Sequence, residues 1–382
     1  MQNAKTLLKT GINHKITVIR EMLNKKKRIE ILSHKFYKTP TVSHLIVPDT
    51  TANDSDIFYA ERLLSSYNKA IDDYRSPGKD IWSGISQNQS KFLSILKRND
   101  PVELANYLCN MNREDATIGT IQGNFVYDRL VKDSSYRKHI ALITKDKLVS
   151  LAEALGVSNI ENPEQGIYGE TMHQNPEELF ENISAFIGHD LTPPAIDSGL
   201  LKIKVGNALV GERDISAIYT AYIIKSAMKV CEIGGGGGRA CLWSKKFGVA
   251  EYTILDLPHI NVVQGFYLLK SIPDSVSLFG EADKPVRIMP AHALPKEKFD
   301  LILNQDSFPE IDKSTVINYL NWIKGHCNEF MSINFESKAS YKGGQHLNVS
   351  ELIREVGGFN RMERVQYWLR KGYILERYSP VF

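Results

Sequence analysis

Five consecutive glycines, Gly234 to Gly238, stand in the stretch CEIGGGGGRAC at residues 231–241. Such a run costs conformational entropy on folding, so it persists where backbone must turn sharply or come close to another group. Its flanks argue against a linker. A short apolar strand, KVCEI, enters the run, and a helix, RACLWSKKFG, leaves it and stops at Gly248. A strand, a glycine turn and a helix in that order aim the free amides of the helix N-terminus at whatever lies above the turn.

The unit repeats down the chain. DISAIYTAYIIKSAM precedes it as a helix, and YTILDL, VRIMP, FDLILN and EFMSINF read as strands. Between and after them, PHINVVQGFYLLKSI, STVINYLNWIKGH and VSELIREVGG read as helices, with Pro258 at a first turn and Asn348 or Ser350 as a cap. The last runs, RMERVQYWL and GYILERYSPV, join at Arg370-Lys371-Gly372 and predict an antiparallel hairpin at the sheet edge, which leaves Glu376 with a structural role there. The alternation predicts an α/β fold, a mainly parallel Rossmann-like sheet of seven strands with helices on both faces and the last strand antiparallel.

The first half has a different rhythm. ELANYLCNM, DKLVSLAEALGV and PEELFENISAFIG carry apolar residues at three- and four-residue spacing, with stops at Gly156 and Gly188. DLTPPAIDSG at 190–199 marks a junction, followed by KIKVGNALV, an extended segment turning at Gly206-Asn207. The predicted organisation is a helical region over 1–195, serving as a substrate cap or a dimerisation surface, and a cofactor-binding α/β domain over 196–382.

A net charge of +3 over 382 residues gives no strong pull toward nucleic acid or an anionic membrane. The densest basic run, NKKKR at 24–28, reads as a solvated helix face. The four cysteines form no CxxC pair, so neither a zinc site nor a disulfide framework is predicted. With no signal-peptide pattern and no apolar run long enough to span a bilayer, the expected setting is a reducing cytoplasm.

Two cofactor classes use a glycine turn of this kind. The dinucleotide pattern is met by Gly235-x-Gly237-x-x-Ala240, although five glycines satisfy many frames. An acid at the strand end followed by alternating glycines, Glu232 with Gly234, Gly236 and Gly238, is the pattern for S-adenosylmethionine. A carboxylate suits a ligand carrying an ammonium and a sulfonium, and repels a pyrophosphate. Asp256, followed by Leu257, lies about twenty residues on, where an acid accepts from ribose hydroxyls or, alternatively, caps the helix at Pro258. A helix ahead of the first strand and a terminal hairpin favour the class I S-adenosylmethionine-dependent methyltransferase pattern.

The segments ERDISAIYTAYII, CEIGGGGG, NQDSFPEI, SINFESK and YWLRKGYILERY carry a likeness. Residues 165–382 resemble the sugar O-methyltransferase family of bacterial surface-polysaccharide clusters. The resemblance implies O-methylation of a sugar or glycan precursor in polysaccharide biosynthesis. ILDLPHI is also similar to plant-type small-molecule O-methyltransferases, whose catalytic histidine follows the fourth strand in a His-Asp pair. Laid on FDLILNQDSFPEI, that pair falls on Pro309 and Glu310, so its histidine base has no counterpart here.

Methyl transfer to a hydroxyl is helped by a base near the attacking oxygen. Candidates are Asp306 and Glu310 on the loop after FDLILN, acting as base or together holding a divalent metal; the alternative is that Glu310 and Asp312 are acids at the next helix N-terminus. His346, in YKGGQHLNVS, is the further catalytic candidate, with a solvated loop histidine as the alternative. His292 is placed at the adenine, with a surface loop histidine as the alternative, and Asn304 with Gln305 at the methionine part of the cofactor, with loop capping as the alternative. Arg213 and Tyr219 are in reach of the cofactor carboxylate or serve their helix. No resident metal ligand set is predicted. A glycan or other small-molecule acceptor and a homodimer fit these features. The competing readings are an NAD(P)-dependent sugar oxidoreductase and a methyltransferase-like scaffold that binds without turnover.

Overall fold

The computed structural model describes Leu23 and residues 50–74, 80–120, 123–161, 174–196, 202–341 and 344–381. The basic run at 24–28 and residues 197–199 of the junction lie outside the described residues.

Helices come first. α1 (Asp54–Asp72) starts at a capping box in which the side chains of Asn53 and Asp56 each accept from the other's amide. α2 (Ile81–Asn88), α3 (Ser90–Arg98), α4 (Pro101–Cys109), α5 (Gly123–Lys132), α6 (Ser134–Leu155) and α7 (Pro176–Ile187) follow. α6 and α7 end at Gly156 and Gly188, both left-handed, at the stops read from the sequence. β1 (Lys202–Val205) and β2 (Ala208–Gly211) form a hairpin across Gly206-Asn207, and α8 (Glu212–Ile224) leads into the main sheet.

That sheet contains β3 (Lys229–Ile233), β4 (Glu251–Asp256), β5 (Val276–Leu278), β6 (Val286–Pro290), β7 (Phe299–Gln305) and β8 (Cys327–Phe335). It is completed by β11 (Phe359–Gln366) and β12 (Tyr373–Pro380), while β9 (Ser340–Tyr341) and β10 (Gly344–Gln345) make a separate small hairpin. The order is β11-β12-β8-β7-β3-β4-β6-β5, and β12 runs antiparallel to both its neighbours while the other pairs are parallel. This is the mainly parallel, Rossmann-like sheet expected, with one strand more than the seven read from the sequence. The addition is β5, whose three residues are too few to show a period. The hairpin prediction holds, but its second strand is interior: Glu376 is buried between β11 and β8 and accepts from Ser350, Arg361 and Arg364.

α9 (Arg239–Lys246), α10 (Pro258–Ser271), α11 (Lys313–His326) and α12 (Val349–Val356) cover the sheet. The pleat sorts the side chains. Val230, Tyr252, Ile254, Leu301 and Leu303 join one core with α8, α9 and α10. Cys231, Leu255, Ile302 and Phe330 join the other with α11 and α12. The first core runs on without a break into the helical half, through Leu63 and Leu64 of α1, Phe92 of α3, Leu104 of α4 and Leu148 of α6. Among the described residues, no helix is long and apolar enough to cross a membrane.

Candidate cofactor and acceptor site

A cavity of about 680 Å³ opens at the carboxyl ends of β3, β4, β6 and β7, where open α/β sheets bind ligands. Its floor is the glycine turn. Gly234 is left-handed, and a Cβ there would sit 2.3 Å from the Ser307 hydroxyl oxygen. Gly235 is excluded from carrying a side chain for another reason: its Cβ would lie 2.7 Å from Ile254 Cγ2 and 3.0 Å from Glu232 Oε2. The S-adenosylmethionine pattern gives position 235 no role; close packing supplies one. Gly236 is also left-handed but faces open space, and Gly238 closes the turn as the cap of α9 against Leu268, outside the cavity lining.

Two acids stand over this floor. Glu232 and Asp256 share the face of Val230 and Tyr252, on adjacent parallel strands in which Glu232 pairs with Ile254. Asp256 therefore lies one pleat repeat beyond Glu232, and both line the cavity. Burial pushes the Glu232 carboxyl up to about 7, against the opposing hydrogen bond from the Tyr252 hydroxyl, 2.9 Å away. Burial also raises Asp256, to about 6, although Leu257, Gly235 and Gly236 amides and Gln264 Nε2 all donate to it. Asp256 thus ties the end of β4 to the glycine turn. Leu257 and His292 line the same end of the cavity, the His292 ring 5.9 Å from Tyr74 and its proton affinity lowered by burial.

Asn304 lies elsewhere. It has the parity of Ile302, is fully buried, and is absent from the cavity lining. Its amide donates to the Ile233 carbonyl and the Ser307 hydroxyl and accepts from Asn334, so it braces the strand ends from behind. Gln305, on the opposite parity, is the residue that reaches the cavity. Tyr219 packs on Tyr367 and also lies outside it.

The loop after β7 builds the other end. Asp306 adopts φ 65°, a left-handed conformation uncommon for a residue with a side chain. Its amide donates to the Ile333 carbonyl and to Asn334 Oδ1. Its carboxylate accepts from Arg370 and from the Tyr373 hydroxyl, both on the β11–β12 hairpin. Glu310 is one short turn further on. Burial and the nearby Asp306 charge push it up to about 7, against Arg213, Arg370 and the Trp82 indole, which favour its charged form. Two carboxylates on one loop are thus separated in character, Asp306 held by partners and Glu310 poised to titrate near neutrality. His346 lines the cavity with its ring edge-on to Phe335, 5.0 Å away. Among the described residues no three His, Cys, Asp or Glu side chains cluster here, and Asp306 is taken up by Arg370 and Tyr373.

Tyr74, Asp80, Trp82, Gly119 and Thr120, from the helical half, wall the cavity opposite the sheet. No local pattern reveals them, because their place depends on long-range packing. Gln305, which the sequence reading pairs with Asn304 at the cofactor, has the parity of Leu301 and Leu303 and does line the cavity.

No family model and no curated protein matches the chain. Solved structures overlap it in part. The 1,6-didemethyltoxoflavin-N1-methyltransferase of Burkholderia thailandensis is 17% identical over 44% of this chain and 79% of its own, with TM-score 0.33. The magnesium protoporphyrin IX methyltransferase of Synechocystis, with S-adenosylmethionine bound, is 12% identical over 44% and 82%, with TM-score 0.34. The ribosomal protein L11 methylase of Lactobacillus delbrueckii is 12% identical over 44% and 80%, with TM-score 0.30. Overlaps of this size carry no functional argument, and the fold rests on the strand order described above.

Proposed function

We propose that this chain is an S-adenosylmethionine-dependent O-methyltransferase acting on a sugar or glycan hydroxyl. The observation that carries the cofactor is the pair Glu232 and Asp256 over a glycine floor that Ser307, Ile254 and Glu232 leave no room to fill. The residues fit the group. Gly234 to Gly237 let the ligand approach backbone, Glu232 offers a carboxylate to its ammonium, Asp256 an acceptor to its ribose, and Leu257 and His292 line the adenine end. S-adenosylmethionine supplies, when bound, an electrophilic methyl group on a positive sulfur. A pyrophosphate in the same place would meet two buried acids.

Glu310 is the base in this reading. Its carboxyl titrates near neutral pH, so as the anion it would take the proton of the acceptor hydroxyl, whose oxygen would receive the methyl group as the methyl–sulfur bond breaks and S-adenosylhomocysteine leaves. Asp306 holds Arg370 and Tyr373 at the acceptor end, and His346 stands as the alternative base. The helical residues ahead of 196 act as the cap, since Trp82, Asp80 and Thr120 close the cavity. The sugar acceptor rests on the resemblance of residues 165–382. Calorimetry with S-adenosylmethionine and with NADH tests the cofactor: binding of the nucleotide alone overturns the proposal. Transfer of labelled methyl to candidate glycans, abolished in Asp256→Ala, tests turnover against a binding scaffold.

A further inference from the structure

Two arginines of the cavity lining besides Arg213 are already engaged. Arg239 donates to Asp214, which also faces Lys202 at 3.3 Å, and Arg370 donates to Asp306. Arg213 differs. The nearest carboxylate oxygens are Asp306 Oδ2 at 3.8 Å and Glu212 Oε1 at 3.9 Å, both beyond hydrogen-bonding distance. Its side chain is 42% exposed and lines the cavity. It sits in the first turn of α8, and Ser216 and Ala217, three and four residues on, line the cavity with it. One face of the helix N-terminal half therefore fronts the cavity, with the guanidinium at its positive end.

Resting on the cofactor reading above, we infer that Arg213 is the receptor for the α-carboxylate of the bound amino-acid moiety, Glu232 being that of its ammonium. A guanidinium fork matches a carboxylate with two parallel donors. The small side chains of Ser216 and Ala217 leave the aliphatic part of the ligand a path along the helix. Asp306, 3.8 Å away, is too far from Arg213 to satisfy it by a hydrogen bond.

The test compares S-adenosylhomocysteine with its decarboxylated analogue by calorimetry, on the intact chain, in wild type, Arg213→Gln and Arg213→Lys. Wild type is expected to favour the carboxylate form by roughly 10- to 100-fold. Arg213→Gln is expected to bind both ligands equally, at the level of the decarboxylated one, with Arg213→Lys between. The half-exposed side chain makes loss of folding an improbable confusion, and an unchanged circular-dichroism melt checks it. A preference retained in Arg213→Gln overturns the assignment alone. Absence of binding to wild type by either ligand overturns the cofactor reading, and the assignment with it.

Discussion

The Tyr252 hydroxyl donates to Glu232 Oε2 at 2.9 Å, from the neighbouring strand and on the same face of the sheet. Its hydrogen bond stabilises the Glu232 anion, and burial outweighs it, leaving the carboxyl at about 7. A cation placed beside Glu232 favours the ionised form, so such a ligand binds with release of a proton. S-adenosylmethionine affinity is expected to rise with pH below 7, approaching about tenfold per unit, and to level off above it. A pyrophosphate ligand has the opposite sign, binding more tightly as the acid is protonated. Glu232→Gln should flatten the limb near 7 and leave the weaker dependence of Asp256 at about 6. Calorimetry in two buffers of different ionisation enthalpy reads the proton directly.

The glycines separate by mechanism. Gly235→Ala forces a methyl against Ile254 and Glu232, and overpacking of this kind costs roughly 1–3 kcal/mol. Gly236→Ala meets no atom and has only the left-handed backbone to overcome, roughly 1–2 kcal/mol. Gly234→Ala meets both penalties and is expected to be the worst of the three. Urea unfolding of the three variants gives the order. If Gly236→Ala proves as damaging as Gly234→Ala, the packing explanation is wrong.

Much of this site could be read from residue order, because it depends on local pattern. KVCEI is strand Lys229–Ile233 to the residue, and its glycine turn, helix and downstream acid follow at the spacing a ligand site needs. Asn304 shows where local reading fails: its place at a strand end suggests the cofactor, whereas the pleat sends it behind the sheet and Gln305 forward. Gly235 was legible only as an excess glycine, because its reason is a side chain on another strand, Ile254. Trp82 and Tyr74 had no signal at all. They reach the cavity because α1 packs on α10, a contact between segments some two hundred positions apart that no periodicity encodes.

Glu310 and Asp306 make a paired prediction. Glu310→Gln removes the proposed base and should lower kcat roughly 10²- to 10⁴-fold, with loss of the acidic limb near 7 in kcat/KM. Asp306→Asn removes the charge that raises Glu310 and leaves Arg370 and Arg213 uncompensated beside it. Both changes favour the Glu310 anion, so the limb moves to lower pH. A pH–rate profile distinguishes this from simple damage, which would lower activity without moving the limb. Activity surviving in Glu310→Gln but lost in His346→Gln would transfer the role to His346.

His259 supplies an independent test of burial in α10. It lies near the start of that helix, is 7% exposed, and its Nε2 has no hydrogen-bond partner among the described residues. Burial lowers its pKa to about 4 from an ordinary 6.5. Between these values the unfolded chain binds a proton that the folded chain does not, so stability from this residue falls as pH falls. From pH 7 to 5 the loss is about 2 kcal/mol. Glu232, Glu310 and Asp256 act in the opposite sense over the same range, because each raised carboxyl loses its stabilising contribution as pH rises through about 7, 7 and 6. The wild-type curve sums these opposing groups, so the comparison has to be with a variant. His259→Leu keeps the bulk and removes the titration. Relative to wild type it should gain about 2 kcal/mol between pH 7 and 5 in urea unfolding. A difference between the two proteins that stays constant with pH would mean that His259 is already charged, or solvated, in the folded state.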